Sequence, residues 1–177
     1  MAEGLSPLRN YGHLNPGLVT TYDALLRQPE LAIGLAPEQV LQIGALPTSK
    51  VLRQWLTAVD PLRWVIGRGD RNGDPLHGRT CSLGDISLSG LASMISAERA
   101  QSPQPHQPPS YWQTWQHWEA IARQRLDHTL ATLDRPFAGK VPWLMAQVLP
   151  DNTPMFVANS TPVRDVEWFW PVGDRRH

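Results

Sequence analysis

The chain has one cysteine, Cys81. No internal disulfide can form from it, and a single thiol suits a reducing compartment. Charge of one sign is not in excess either: 16 Lys and Arg balance 16 Asp and Glu. That balance removes the electrostatic case for a nucleic-acid or acidic-membrane partner. No apolar run approaches the roughly 20 residues of a membrane span. The opening stretch, MAEGLSPLRNYGHLNPG, is broken by Gly, Pro and charge and does not read as a secretory signal. A cytoplasmic location follows as the expectation. Catalytic signatures are missing too: G-x-S-x-G, G-x-G-x-x-G and H-E-x-x-H do not occur. The six histidines do not pair at metal spacing. DRNGDP (70–75) opens like a calcium loop, but Pro75 replaces the required glycine and Cys81 the bidentate glutamate, so it reads as a turn.

Proline and tryptophan are what the chain has in quantity: 17 Pro and 8 Trp, against 3 Phe and 3 Tyr. Proline at about twice its usual share marks many breaks between elements. Residues 1–17 show no period and read as an extended lead-in. LVTTYDALLRQ (18–28) has one apolar stripe and predicts a short helix, with Pro29 favouring a stop. VLQIG (40–44) and LRWVIG (62–67) read as buried strands flanking a helix over 49–59. RTCSL (79–83) reads as a further strand, with Cys81 as small filler, and 85–95 as a helix capped by Asp85. SPQPHQPPS (102–110) predicts a polyproline-like spacer. The longest helix covers 111–133, its Trp112, Trp115 and Trp118 stripe reading as core rather than a cofactor box. A helix near 140–149, a strand PMFVAN and a helix VRDVEWFW complete the chain.

Strands without a polar face, alternating with helices, predict an α/β fold. The expectation is a three-layer, mostly parallel, Rossmann-like sheet with helices on both faces. Residues 18–170 form one such domain with the proline-rich insertion, and 171–177 read as a cut linker.

In such folds ligands gather where strand ends meet helix starts, and two of these junctions are unusually polar. GALPTSK (44–50) superficially resembles a phosphate loop, with Gly44 and Lys50 at the right separation. Ser49 replaces the second glycine and Val51 the magnesium-binding hydroxyl, which argues against an NTPase. Lys50 nevertheless puts a cation in the first turn of a helix, against the macrodipole. The other junction is FVANSTPVRDVEWFW (156–170). Capping accounts for Thr161 as N-cap, Pro162 at the first helical position and Asp165 in the first turn. It leaves Asn159, Ser160 and Arg164 unexplained. Misplaced cations and hydroxyls at two helix starts fit a carboxylate or phosphate site. A shared site requires both junctions to lie at the same end of one parallel sheet.

Both junctions resemble the middle domain of the 2-succinyl-5-enolpyruvyl-6-hydroxy-3-cyclohexene-1-carboxylate synthases, over roughly residues 18–170. That family has G-[AS]-x-x-T-[SG]-K, matched by Gly44 to Lys50, and G-N-S-x-x-x-R-D, matched by Asn159 to Asp165 with Ala158 in place of the glycine. The resemblance implies thiamine-diphosphate- and Mg2+-dependent decarboxylation of 2-oxoglutarate and transfer of the succinyl unit to isochorismate, in menaquinone or phylloquinone biosynthesis. It further implies a homo-oligomer for the full-length enzyme, with the other domains of the same chain as partners. Lys50, Asn159, Ser160 and Arg164 would then bind substrate carboxylates, Arg164 as a fork and Lys50 as a point charge. The family's cofactor-activating glutamate and its G-D-G…N magnesium motif have no counterpart here. The expectation is therefore a fragment with no catalytic, cofactor or metal residues of its own, inactive alone. Two other readings stand beside it: a non-catalytic anion- or nucleotide-binding α/β module, and an interaction domain using the Trp helix and polyproline arm.

Overall fold

The computed structural model describes residues 1–67, 74–101 and 110–174, with 99–101 as backbone only. DRNG (70–73) of the turn at 70–75 and residues 102–109 of the proline-rich segment lie outside the described residues. Where the sequence reading has one domain, the chain divides into two compact units. One comprises Met1–Leu35, Thr48–Leu52 and Ser110–His177, and the other Ala36–Pro47 and Arg53–Pro109.

The second unit carries the sheet. Strands β1 (Gln39–Ile43), β2 (Leu62–Ile66) and β3 (Thr80–Gly84) are parallel in the order β1-β2-β3. Gln39 stands opposite Leu62 and Ile43 opposite Ile66. The β2–β3 register slips between Val65 and Ile66. Parallel pairing is what apolar runs separated by helix-length crossovers dictate. The expectation that every strand is buried on both faces fails at β1. Its residues alternate, and Leu41 and Ile43 are more than half exposed. On central β2, Arg63 is 2% exposed and held by polar partners. It donates to Asp74, to Thr80 Oγ1 at 2.8 Å and to Gln42 Oε1 at 3.3 Å. Helix α4 (Leu88–Gln101) starts later than expected: Ser87, not Asp85, caps it, its Oγ accepting from Gly90 N at 3.3 Å.

Helices dominate the first unit. Residues 1–17 are not an extended lead-in: they form 3-10 turns at Pro7–Asn10 and Gly12–Leu14 and bury Arg9. Nor do residues 171–174 behave as a loose linker. Gly12 N donates to Gly173 O at 3.0 Å and Gly173 N to Arg9 O at 2.8 Å. The helix expected over 18–28 shrinks to α1 (Tyr22–Leu25), and Pro29 opens α2 (Pro29–Gly34) rather than only stopping its predecessor. Proline is tolerated at a helix start because its missing N–H would be unpaired there anyway. Helix α5 (Ser110–Thr132) buries Trp115 and Leu130, while Trp112 in its first turn is 43% exposed. Helices α6 (Lys140–Val148) and α7 (Thr161–Phe169) follow and pack together. Helix α3 (Lys50–Val59) begins in this unit and continues into the sheet unit.

Buried carboxylates organise the helical unit. Glu119 on α5 accepts from the backbone N–H and the hydroxyl of both Thr20 and Thr21, at 2.6–2.9 Å. Glu167 on α7 accepts from Gly4 N and Tyr22 OH and lies 3.4 Å from Arg9 Nη2. Burial raises the Glu167 carboxyl above its ordinary range, against the pull of Arg9. Burial and that carboxylate push the Tyr22 phenol far up, so it stays a donor. The Arg9 guanidinium also donates to Ala2 O and to Trp170 O, tying the first residues to the end of α7.

Candidate functional site

The first polar junction begins at Gly44, whose φ of +77° ends β1 in the left-handed region that glycine adopts without cost. Ser49 is buried and already committed. Its Oγ donates to Asp23 and accepts from Leu52 N at 3.0 Å, which makes it the N-cap of α3. Lys50, the first residue of α3, is exposed and enters no ion pair among the described residues. The phosphate-loop resemblance ends there, because the hydroxyl nearest the helix start is spent on a carboxylate.

The second junction departs from expectation in three ways. PMFVAN is not a strand: residues 153–158 carry no ladder, and Phe156 is 97% exposed. With no strand leading into α7, Arg164 does not share a sheet end with Lys50, and the condition set for one shared site is not met. The cap position falls on Ser160 rather than Thr161, and its side chain makes no capping bond. Thr161 and Pro162 are the first two helical residues, and Asp165 falls just beyond the first turn. Ser160 holds φ +74° and ψ −126°, a conformation costing roughly 1–3 kcal/mol for a residue with a Cβ. Its N–H is taken by Asn159 Oδ1 at 2.7 Å. Asn159, Ser160 and Arg164 are exposed, and Arg164 enters no ion pair among the described residues. The fold thus places Asn159, Ser160 and Arg164 around one uncapped helix start, and Lys50 at another helix start of the same compact unit.

Sequence patterns did not reveal the connection behind these two starts. Asp23 is 6% exposed, with one carboxylate oxygen on Ser49 and the other 2.9 Å from Arg27 Nε. The Arg27 guanidinium stands 4.7 Å from the ring centroid of Trp168 on α7. The only sequence signal is an acid four residues before an arginine, which is common on helices.

A cleft of about 440 Å3 in the same unit contains none of the four predicted residues. It lies among Asn15, Gln116, Glu119, Arg123, Asp127 and Asp174. Most of its polar groups already hold protein partners. Glu119 binds the two threonines, Gln116 donates to Gly17 O, and Asp127 takes both Arg123 Nε and Trp143 Nε1. For a metal, no group of three or more His, Cys, Asp or Glu among the described residues is placed to hold one. No helix among the described residues is long and apolar enough to cross a membrane.

No protein-family model matches the chain. Curated relatives do. It is 51% identical over 178 residues to the 2-succinyl-5-enolpyruvyl-6-hydroxy-3-cyclohexene-1-carboxylate synthase of Synechococcus sp. (strain JA-3-3Ab), covering 99% of this chain and 28% of the relative. The synthase of the same name from Trichormus variabilis is 47% identical over 176 residues, covering 99% and 29%. That of Acaryochloris marina is 44% identical over 173 residues, covering 98% and 29%. The chain spans less than a third of the length of the relatives it matches. Over nearly all of its own residues, this chain is homologous to a segment of the 2-succinyl-5-enolpyruvyl-6-hydroxy-3-cyclohexene-1-carboxylate synthases.

Proposed function

We propose that this chain supplies substrate-carboxylate contacts to a thiamine-diphosphate-dependent synthase of menaquinone or phylloquinone biosynthesis. That enzyme decarboxylates 2-oxoglutarate and adds the succinyl unit to isochorismate. Lys50, Asn159, Ser160 and Arg164 are the contacts. The observation that carries the reading is the pair of cations, Lys50 and Arg164, unneutralised among the described residues and each exposed in the first turn of a helix of one compact unit. A cation there opposes the helix dipole and is stabilised when an anion joins it. Both substrates are polycarboxylates. The uncapped start of α7 adds N–H donors, and the strained Ser160 marks a backbone shaped for more than folding.

In this reading Arg164 clamps a carboxylate with paired donors, and Lys50 contributes a point charge. Asn159 and Ser160 add neutral hydrogen bonds that orient the substrate. The sheet is part of a larger Rossmann-like, three-layer architecture with helices on both faces. Thiamine diphosphate and Mg2+ belong to other segments of a cytoplasmic, homo-oligomeric enzyme, and the chain by itself does not turn over.

The test is Arg164→Ala in the full synthase. A charge-assisted bond is worth about 1.5–3 kcal/mol, so KM for a carboxylate substrate rises, or kcat falls, by roughly tenfold or more. Unchanged kinetics would leave Arg164 a solvated surface residue and the proposal without its anchor.

A further inference from the structure

The helices bearing the two candidate cations are joined by one buried carboxylate. Asp23 Oδ2 accepts from Ser49 Oγ, and that hydroxyl accepts from Leu52 N at 3.0 Å, fixing the first turn of α3 where Lys50 sits. Asp23 Oδ1 takes Arg27 Nε at 2.9 Å, and the guanidinium lies over Trp168 of α7, 4.7 Å from its centroid. Trp168 is one helical turn beyond Arg164, which places the two on the same side of α7. All of these residues belong to one compact unit.

A purely local role explains only part of this. An acid paired with an arginine four residues on is ordinary surface chemistry, worth a few tenths of a kcal/mol. It requires neither the burial of Asp23 nor its bond to a residue 26 positions away. Ser49 could cap α3 without Asp23, since capping uses its lone pairs alone. Accepting the Ser49 proton holds that hydroxyl in one rotamer, with a lone pair aimed at Leu52 N. Asp23 thus fixes the cap's direction and ties it to a group resting on α7.

We propose that Asp23 is a positioning residue for the substrate contacts: through Ser49 it sets the start of α3 and Lys50, and through Arg27 and Trp168 it references that start to α7, which carries Arg164. The inference rests on the reading of Lys50 and Arg164 as substrate contacts.

The test uses the full synthase with Asp23→Asn, Ser49→Ala, Lys50→Ala and the Asp23→Asn/Lys50→Ala pair. Asp23→Asn is expected to raise KM for a carboxylate substrate about tenfold, a typical coupling within one network, with kcat changed by less than about twofold. In the Lys50→Ala background the same change is expected to add almost nothing, because its effect runs through the lysine. Ser49→Ala, which removes a single hydroxyl, shifts KM in the same direction and guards against a misfolded Asp23 variant. A second readout is amide exchange over residues 50–53, expected to quicken in Asp23→Asn while residues 115–130 keep wild-type rates. Unchanged KM, a fully additive double variant, or unchanged exchange at 50–53 would each overturn the inference. Should Lys50→Ala and Arg164→Ala both leave KM unaltered, the substrate reading fails instead, and the exchange measurement still decides whether Asp23 holds the start of α3.

Discussion

At the scale of single residues, buried polar groups tie the helical unit together beside its apolar core. Glu119 is 8% exposed and satisfies two backbone amides and two hydroxyls at the turn into α1. Glu119→Ala strands the Thr20 and Thr21 amides, each costing about 1–3 kcal/mol when left buried and unpaired. Urea unfolding is expected to show a loss of about 3 kcal/mol, and a loss under about 1 kcal/mol contradicts the geometry. None of this was legible in the sequence. A carboxylate inside a Trp-rich helix looks the same whether it faces water or two threonines, because hydrophobic periodicity records only apolar positions. Arg9 and Asp23 were missed for the same reason. Lys50 and Arg164 were legible because a cation at a helix start breaks a local electrostatic rule, and broken local rules are visible in one dimension.

At the scale of elements, α3, α5, α6 and the three strands of the sheet fall close to where periodicity puts them. PMFVAN does not. Met155 and Val157 are half-buried while Phe156 and Ala158 are exposed, a true period of two. The segment is extended with the right alternation, yet no described strand pairs with it. Alternation reports a two-faced environment, whereas a strand also needs a neighbour for its ladder, which no local window contains. The end of β1 was easier to read. Gly44 sits at φ +77° with nothing within 4 Å of where a Cβ would stand, so substitution there meets only backbone strain. Gly44→Ala is therefore expected to cost about 1–2 kcal/mol by chemical denaturation. A neutral result means the strand end relaxes to negative φ.

For the whole molecule, acid is expected to act through one carboxylate of the sheet unit. In the sheet unit, burial raises the Asp74 carboxyl, but hydrogen bonds from Thr80, Arg63 and the amides of Leu76 and Gly78 outweigh it and hold that carboxyl well below the usual range. The folded state thus binds this proton less readily than the unfolded one. The stability Asp74 contributes is present above about pH 4 and drains away as the pH falls through the folded value. Urea midpoints are expected to fall on acidification below pH ~4 and to show a shallower fall in Asp74→Asn, which is less stable at neutral pH. Equal acid slopes in the two proteins would remove Asp74 from the account. Calorimetric titration of the 177-residue chain with thiamine diphosphate is expected to give no binding heat, whereas a saturable isotherm would mean that the cofactor is held here. The most direct test of the central claim is a crystal structure of the full synthase with a bound dicarboxylate substrate. The account predicts a substrate carboxylate within about 2.7–2.9 Å of the Arg164 guanidinium. A bound substrate with Arg164 facing bulk water would contradict it.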